Sequence, residues 1–95
     1  MFDFADLTEQ CRQAAADEVA FASDEELLAG VVEVHRSLAA LETAAAHQLA
    51  ELQVRGLTDR CFGLRTPKWV AGQAKVDHRP VGRRLRMGLW LRRAH

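Results

Sequence analysis

Apolar residues recur at helical spacing near the start of the chain. They fall three or four positions apart, at Phe4, Leu7, Cys11, Ala15, Val19 and Ala22. This spacing places them along one face of a helix. Asp3 is positioned to cap that helix, and Asp6 in its first turn suits the helix dipole. The pattern predicts an amphipathic helix over about residues 4–22.

A second, longer helical pattern follows. Ser23 and Glu26 have the spacing of a capping box, and Gly56 is a natural residue to follow a helix that ends near Arg55. The apolar seam of this segment, close to heptad spacing over most of its length, consists of Leu27, Val31, Val34, Leu38, Leu41, Ala45, Leu49 and Leu52. A helix of this span is roughly 48 Å long at about 1.5 Å per residue, too long for the first helix alone to cover. We expect either the spine of a helical bundle or a dimerising coiled coil.

The remainder of the chain predicts a linker and two shorter helices. Residues 56–66 are interpreted as irregular, because Gly56 and Gly63 interrupt them. Thr66 fits the N-cap of a helix over 67–75, and Asp77 fits the cap of a last helix over about 78–94. The two helices resemble a helix-turn-helix pair, although the usual turn glycine is absent.

The predicted fold is therefore all-α: a small helical bundle with one long central helix and a C-terminal helix-turn-helix-like pair. We expect one helical domain over residues 1–95. Val81, Leu85 and Leu89 mark one side of the last helix, and further apolar residues widen that surface. Such a helix needs cover on more than one side, so the domain is expected to be incomplete.

Charge divides the chain into two halves, although Lys plus Arg and Asp plus Glu both number 13. Residues 1–55 form an acidic helical half and residues 56–95 a basic helical half. Residues 1–54 carry eleven acidic and two basic side chains, and residues 55–95 carry eleven basic and two acidic ones. Either the basic half binds a polyanion, or the two halves neutralise each other within the fold.

The last helix places four of its arginines on one face. Arg79, Arg83, Arg86 and Arg93 recur at helical spacing together with Trp90. These four arginines, with Lys68 and Lys75, are the candidate contacts to DNA phosphates. Two alternatives are an arginine face paired with the acidic helices and a basic amphipathic helix on an anionic membrane. The membrane alternative is less favoured because no second anchoring signal accompanies the helix.

Other chemistry is not indicated by the sequence. Cys11 and Cys61 form no metal-ligand pair and are expected to be reduced, buried apolar residues. No two histidines are four residues apart, and nucleophile-elbow and phosphate-loop motifs are absent. We expect no catalytic site, no metal, no cofactor and no small-molecule substrate. The N-terminus is too acidic for a secretory signal and no apolar run could span a membrane, so we expect a cytoplasmic protein without a membrane partner.

Several short motifs together resemble one family. In order, they are Ala50-Glu51-Leu52, Arg55-Gly56, Gly63-x-Arg65-Thr66, Trp69-Val70-Ala71 and Arg83-Arg84-Leu85-Arg86. Their order and spacing resemble the N-terminal domain of actinobacterial HNH endonucleases, the thirteen-E-twelve repeat family. The resemblance covers about residues 24–95, most clearly 50–91. The chain departs from the family pattern at two places. Gly82 and Gly88 stand where the family tends to have Ala, and Asp77-His78-Arg79 stands where the family usually has a Ser-Pro type helix start.

The resemblance implies an all-helical accessory region of a DNA-acting enzyme. In the family, cleavage belongs to an HNH domain far downstream, which would also hold the divalent metal. This chain has no Asn and so no HNH site. The resemblance implies a non-catalytic domain that contributes DNA-backbone binding. The alternatives are self-association through the 24–55 seam, with a second copy or a downstream domain as helical partner, and a truncated remnant with no independent role.

Overall fold

The computed structural model describes residues 1–94 and confirms the all-α prediction. Five α-helices follow one another: α1 (Phe4–Ala15), α2 (Asp24–Arg55), α3 (Leu57–Phe62), α4 (Thr66–Ala74) and α5 (His78–Arg93), with a 3₁₀ turn at Val19–Phe21. No strand occurs within residues 1–94. The chain divides into two compact units, Met1–Val34 and His35–His95. We call them the acidic unit and the basic unit.

The predicted caps of the first two helices, Asp3 and Ser23, both form. The Asp3 carboxylate accepts a hydrogen bond of 3.0 Å from the Asp6 amide. The Ser23 hydroxyl accepts one of 3.1 Å from the Glu26 amide, and the Glu26 carboxylate accepts one of 3.4 Å from the Ser23 amide. These reciprocal bonds satisfy amides that have no partner within the helix, and so fix where α2 begins.

The first helix is shorter than predicted. α1 ends at Ala15, and the chain continues through a cap at Ala16 into the 3₁₀ turn. No residue of α1 is buried, and Val19 and Phe21 beyond it are exposed. Isolated helices are marginal without tertiary packing. The apolar residues Val19 and Phe21 beyond Ala15 are not buried, so packing does not keep this part of the chain helical.

The predicted central helix is confirmed, but its seam is not covered evenly. α2 ends before Gly56, whose φ of +63° suits a glycine after a helix. Toward its C-terminus, Leu49 is buried and Leu41, Ala45 and Leu52 are half-buried. Toward its N-terminus, the exposed fractions of the seam residues lie between 44% at Leu27 and 52% at Leu38. Only the C-terminal part of α2 acts as the spine of a bundle.

The predicted linker is wrong over most of its length, because it contains α3. Gly56 and Gly63, with φ of +63° and +64°, flank this short helix as its caps. The Gly63 amide donates to the Asp59 carbonyl, and Thr58 within the helix is 1% exposed. The two glycines thus change the direction of the chain at the ends of α3 instead of interrupting all regular structure between them.

Thr66 does not cap α4 as predicted. Arg65 is the N-cap and makes no side-chain capping bond, while Thr66 is the first helical residue and is buried. Its hydroxyl donates to Gln53 Oε1 at 2.9 Å and lies 3.2 Å from the Thr58 hydroxyl. A buried hydroxyl needs a partner, and these polar partners draw the start of α4 toward α2 and α3.

The basic unit holds the core. Leu49, Ala71, Val81 and Leu85 are buried together, with Val70 and Leu89 partly buried against them. The core therefore joins α2, α4 and α5.

Gly88 marks the closest approach of α5 to α2. A Cβ at this position would overlap the carbonyl oxygen of Ala46 and lie 3.1 Å from the Ala50 Cβ. Ala46 and Ala50 are fully buried, and Gly88 is buried as well. Small residues on both helices permit the contact between their backbones.

Candidate polyanion-binding surface

A three-residue turn joins α4 to α5. Lys75 ends α4 in the left-handed conformation, with φ of +58°, and the Val76 amide donates to the Ala71 carbonyl at 3.0 Å. Asp77 then caps α5 by accepting a 3.1 Å hydrogen bond from the Arg79 amide. The predicted helix-turn-helix-like pair is present, and Lys75 occupies the conformation that a turn glycine usually takes.

The α5 helix separates its side chains onto two faces. Val81, Leu85 and Gly88 are buried. On the opposite face, Arg83, Arg86 and Arg93 are exposed, and Trp90 among them is 65% exposed. We call these four residues the outer face of α5. Most of the predicted arginines therefore lie together on a solvent-facing surface.

Two other arginines of α5 pair with acidic residues of α2. Arg84 lies 3.5 Å from Glu42, and Arg92 lies 2.8 Å from Glu51. Glu51 also accepts a bond of 2.7 Å from Arg55. Hydrogen bonds from Arg55 and then Arg92 hold the pKa of Glu51 below its ordinary value. These pairs are solvent-exposed, so each contributes little stability. They nevertheless compensate the positive charges of Arg84 and Arg92, the arginines that border α2.

The outer-face arginines are not engaged in this way. Within residues 1–94, no hydrogen bond or ion pair involves the guanidinium groups of Arg83, Arg86 or Arg93. Arg79 differs from them, because Asp77 binds its guanidinium at 2.8 Å and 3.0 Å. The same hydrogen bonding holds the pKa of Asp77 below its ordinary value. Arg79 is thus the predicted arginine least available to a ligand.

The two predicted lysines are exposed. Lys68 lies in α4 and Lys75 ends it, seven residues later. Lys75 adds positive charge within the turn that leads into α5, and Lys68 adds positive charge in the first turn of α4.

Sequence reasoning missed three features of this unit. Arg84 and Arg92 were left out of the candidate set, but their pairing with Glu42 and Glu51 of α2 was not predicted, since only tertiary contacts show it. Phe62 stacks on Trp69, with ring centroids 5.1 Å apart. An apolar groove of about 280 Å³ lies between α2, α4 and α5, lined by Ala45, Gln48, Leu49, Leu52, Val70, Ala74, Val76, Val81 and Arg84. The signal available in the sequence was the seam of α2, because its residues Ala45, Leu49 and Leu52 line the groove.

The prediction that both cysteines are buried is wrong. Cys11 and Cys61 are exposed and form no disulfide. Cys11 belongs to the apolar spacing of α1, on which no side chain is buried. Among residues 1–94, no three His, Cys, Asp or Glu side chains are grouped so that they could hold a metal ion. Over the same residues, no helix has the length and apolar character required to cross a membrane.

Comparison of the chain with models of known families, with curated proteins and with solved structures gave no match.

Proposed function

We propose that the basic unit binds the phosphate backbone of DNA through the outer face of α5, assisted by Lys68 and Lys75. The observation that carries the proposal is the separation of arginines within one helix. Arg84 and Arg92 pair with α2, whereas Arg83, Arg86 and Arg93 have no such pairing within residues 1–94. Cationic side chains of this kind release counterions from nucleic acid on binding.

The conformation of Lys75 supports this proposal. A left-handed backbone costs a non-glycine residue about 1–2 kcal/mol, and a glycine at this turn would avoid that cost. Binding of a ligand by the ammonium group would explain why a lysine occupies this strained conformation next to a basic helix. Phosphate is the ligand that also fits the arginines of α5.

The proposed role is accessory, not catalytic. The resemblance to the N-terminal domain of HNH endonucleases supports a region that holds DNA while cleavage takes place elsewhere. Phosphate contacts position a protein on a duplex without reading its sequence. We therefore propose backbone binding with weak sequence preference.

The test is a fluorescence-anisotropy titration of duplex DNA with Arg83→Gln/Arg86→Gln at several salt concentrations. Each phosphate contact contributes about 0.9 to the slope of log affinity against log salt. We expect the double variant to bind more weakly and its slope to fall by about 1.8.

The matched control is Arg84→Gln/Arg92→Gln, which removes the same charge from the same helix on the side that faces α2. We expect this control to retain most of the wild-type slope. Equal losses in both double variants would show that net charge, and not the outer face, determines binding. Circular dichroism of each variant confirms that it is folded.

A second candidate function is helical self-association through the 24–55 seam. The specific observation is the exposure of Leu27, Val34 and Leu38, which lie at seam positions without being buried. We propose that Leu38→Glu converts an associated chain into monomers in a sedimentation experiment. Ala40→Glu adds the same charge at an exposed position off the seam and is the control. A wild-type chain that is monomeric at the highest concentration reached would contradict this function.

A further inference from the structure

The acidic unit carries apolar side chains without a core beneath them. None of residues 1–34 is buried. Phe21 and Leu28 are 86% and 71% exposed, and Val19, Leu27 and Val32 are exposed as well. Scattered single apolar residues are normal on a protein surface, but a concentration of them marks an interaction site. The acidic unit therefore has apolar surface available to a partner.

Charge defines that partner further. The acidic unit has nine acidic residues and one basic residue, a formal charge of −8. The basic unit has twelve basic and four acidic residues, a formal charge of +8. A partner that complements the acidic unit must be both basic and apolar, because association of like charges is unfavourable.

The outer face of α5 has this combination. Exposed Trp90 lies among Arg83, Arg86 and Arg93, and Met87 next to this face is 38% exposed. Tryptophan, methionine and arginine are the residue types enriched where proteins bind each other, and Trp and Arg are frequent hot spots. The chain itself thus presents a surface of the kind that its acidic unit needs.

We propose that the partner is a second copy of this chain. The acidic unit of one copy packs on the outer face of α5 of the other copy, and two-fold symmetry repeats the contact reciprocally. This inference rests on the second candidate function, that the N-terminal part of the seam is an interaction surface, and it names what covers that surface. Pairing two acidic units with each other would bring like charges together. The reciprocal arrangement brings opposite charges together at both contacts.

One consequence concerns DNA. The outer face of α5 would then have two acidic ligands, the phosphate backbone and the acidic unit of a second copy. They cannot occupy the same arginines at the same time. Self-association and DNA binding would therefore compete, and both would weaken as salt rises.

A charge-exchange experiment tests the contact. One variant carries Asp17→Lys, Glu18→Lys and Glu25→Lys in the acidic unit. The other carries Arg83→Glu, Arg86→Glu and Arg93→Glu on α5. No side-chain hydrogen bond or ion pair within residues 1–94 involves these six side chains, so their replacement leaves the described contacts of the fold in place. Circular dichroism verifies that both variants fold.

We expect a wild-type dimer in sedimentation equilibrium whose dissociation constant rises with salt. Each variant alone should associate about tenfold more weakly or worse, because like charges then meet at the contact. An equimolar mixture should recover the heterodimer, since three lysines meet three glutamates at one contact and the native charges meet at the other. Adding duplex DNA to the wild type should dissociate the dimer.

Four results would overturn the inference. A monomeric wild type would remove both the inference and the second candidate function. Variants that still dimerise alone would indicate seam-to-seam pairing, which leaves the second candidate intact but not the docking site. A mixture of folded variants that does not recover association would also reject the contact. A dimer that persists while DNA occupies α5 would place the interface elsewhere, with the proposed DNA binding unaffected.

Discussion

Replacing Gly88 with alanine tests the closest approach of α5 to α2. The new Cβ would overlap the carbonyl oxygen of Ala46 and lie 2.7 Å from its carbonyl carbon and 3.1 Å from the Ala50 Cβ. A backbone carbonyl inside a helix cannot rotate away as a flexible side chain can. The helices must therefore separate where the core of the basic unit is packed.

The magnitude follows from two opposing effects. Overpacking a core costs typically about 1–3 kcal/mol, and overlap with backbone places Gly88→Ala in the upper part of that range. Alanine in place of glycine inside a helix gains about 1 kcal/mol. We expect a net destabilisation of about 1–2 kcal/mol by Gly88→Ala.

Gly82→Ala is the matched control in the same helix. The nearest atom to a Cβ there is Arg86 Nη1 at 3.7 Å, an ordinary contact. Gly82→Ala should therefore stabilise the chain by up to about 1 kcal/mol through helix propensity alone. The two alanine variants should differ by about 2–3 kcal/mol in their free energy of unfolding.

Urea unfolding followed by circular dichroism measures this difference. In a domain of this size, each kcal/mol corresponds to about 4–8 °C in Tm, so thermal unfolding gives an independent check. Equal stability of the two variants would refute the close approach of α5 to α2.

Three further predictions concern the turns and the polar core. Thr66→Val should lower the free energy of unfolding by about 1–3 kcal/mol, because it takes a partner from the buried Thr58 hydroxyl; an unchanged urea midpoint would contradict this. Lys75→Gly should raise Tm by relieving about 1 kcal/mol of left-handed strain while weakening DNA binding, and a lower Tm would count against it. Asp77 should titrate below the ordinary aspartate value of about 3.9, and Arg79→Gln should return its NMR midpoint toward that value. Because folding lowers this pKa, the associated stabilisation is complete above the ordinary value and is lost as pH falls through the lowered pKa.

Local signals explain which parts of the fold were predictable. Asp3, Ser23 and Asp77 each satisfy amides within three residues, so the starts of α1, α2 and α5 can be deduced from neighbouring sequence alone. The length of α2 follows from the same local rules and from Gly56 at its end. Such elements depend little on the rest of the chain.

Errors arose where contacts between distant residues decide the structure. Thr66 has the residue type of a cap, but its hydroxyl bonds Gln53, thirteen residues away, and not a helix amide. Nothing in the sequence next to Thr66 distinguishes these two roles, because Gln53 lies on another helix.

The sequence predicts which face of α5 carries the candidate surface, but not which arginines of α5 pair with α2. Periodicity places Arg83, Arg86 and Arg93 on one side of α5, and their exposure agrees with that placement. Periodicity cannot show that Arg92 pairs with Glu51, because these two residues are 41 positions apart in the sequence. The distinction between engaged and available arginines is tertiary information.

Zero net charge does not make the surface of this chain neutral. Within the basic unit, Glu42 and Glu51 pair with Arg84 and Arg92 of α5 and with Arg55 of α2, and not with the outer face of α5. At physiological ionic strength, exposed charges more than about 8 Å apart are largely screened from each other. A phosphate at the outer face of α5 therefore interacts with the arginines beside it and not with the sum over all 95 residues. The same screening limits an acidic partner to direct contact, so both proposed ligands would depend on Arg83, Arg86 and Arg93 as individual side chains.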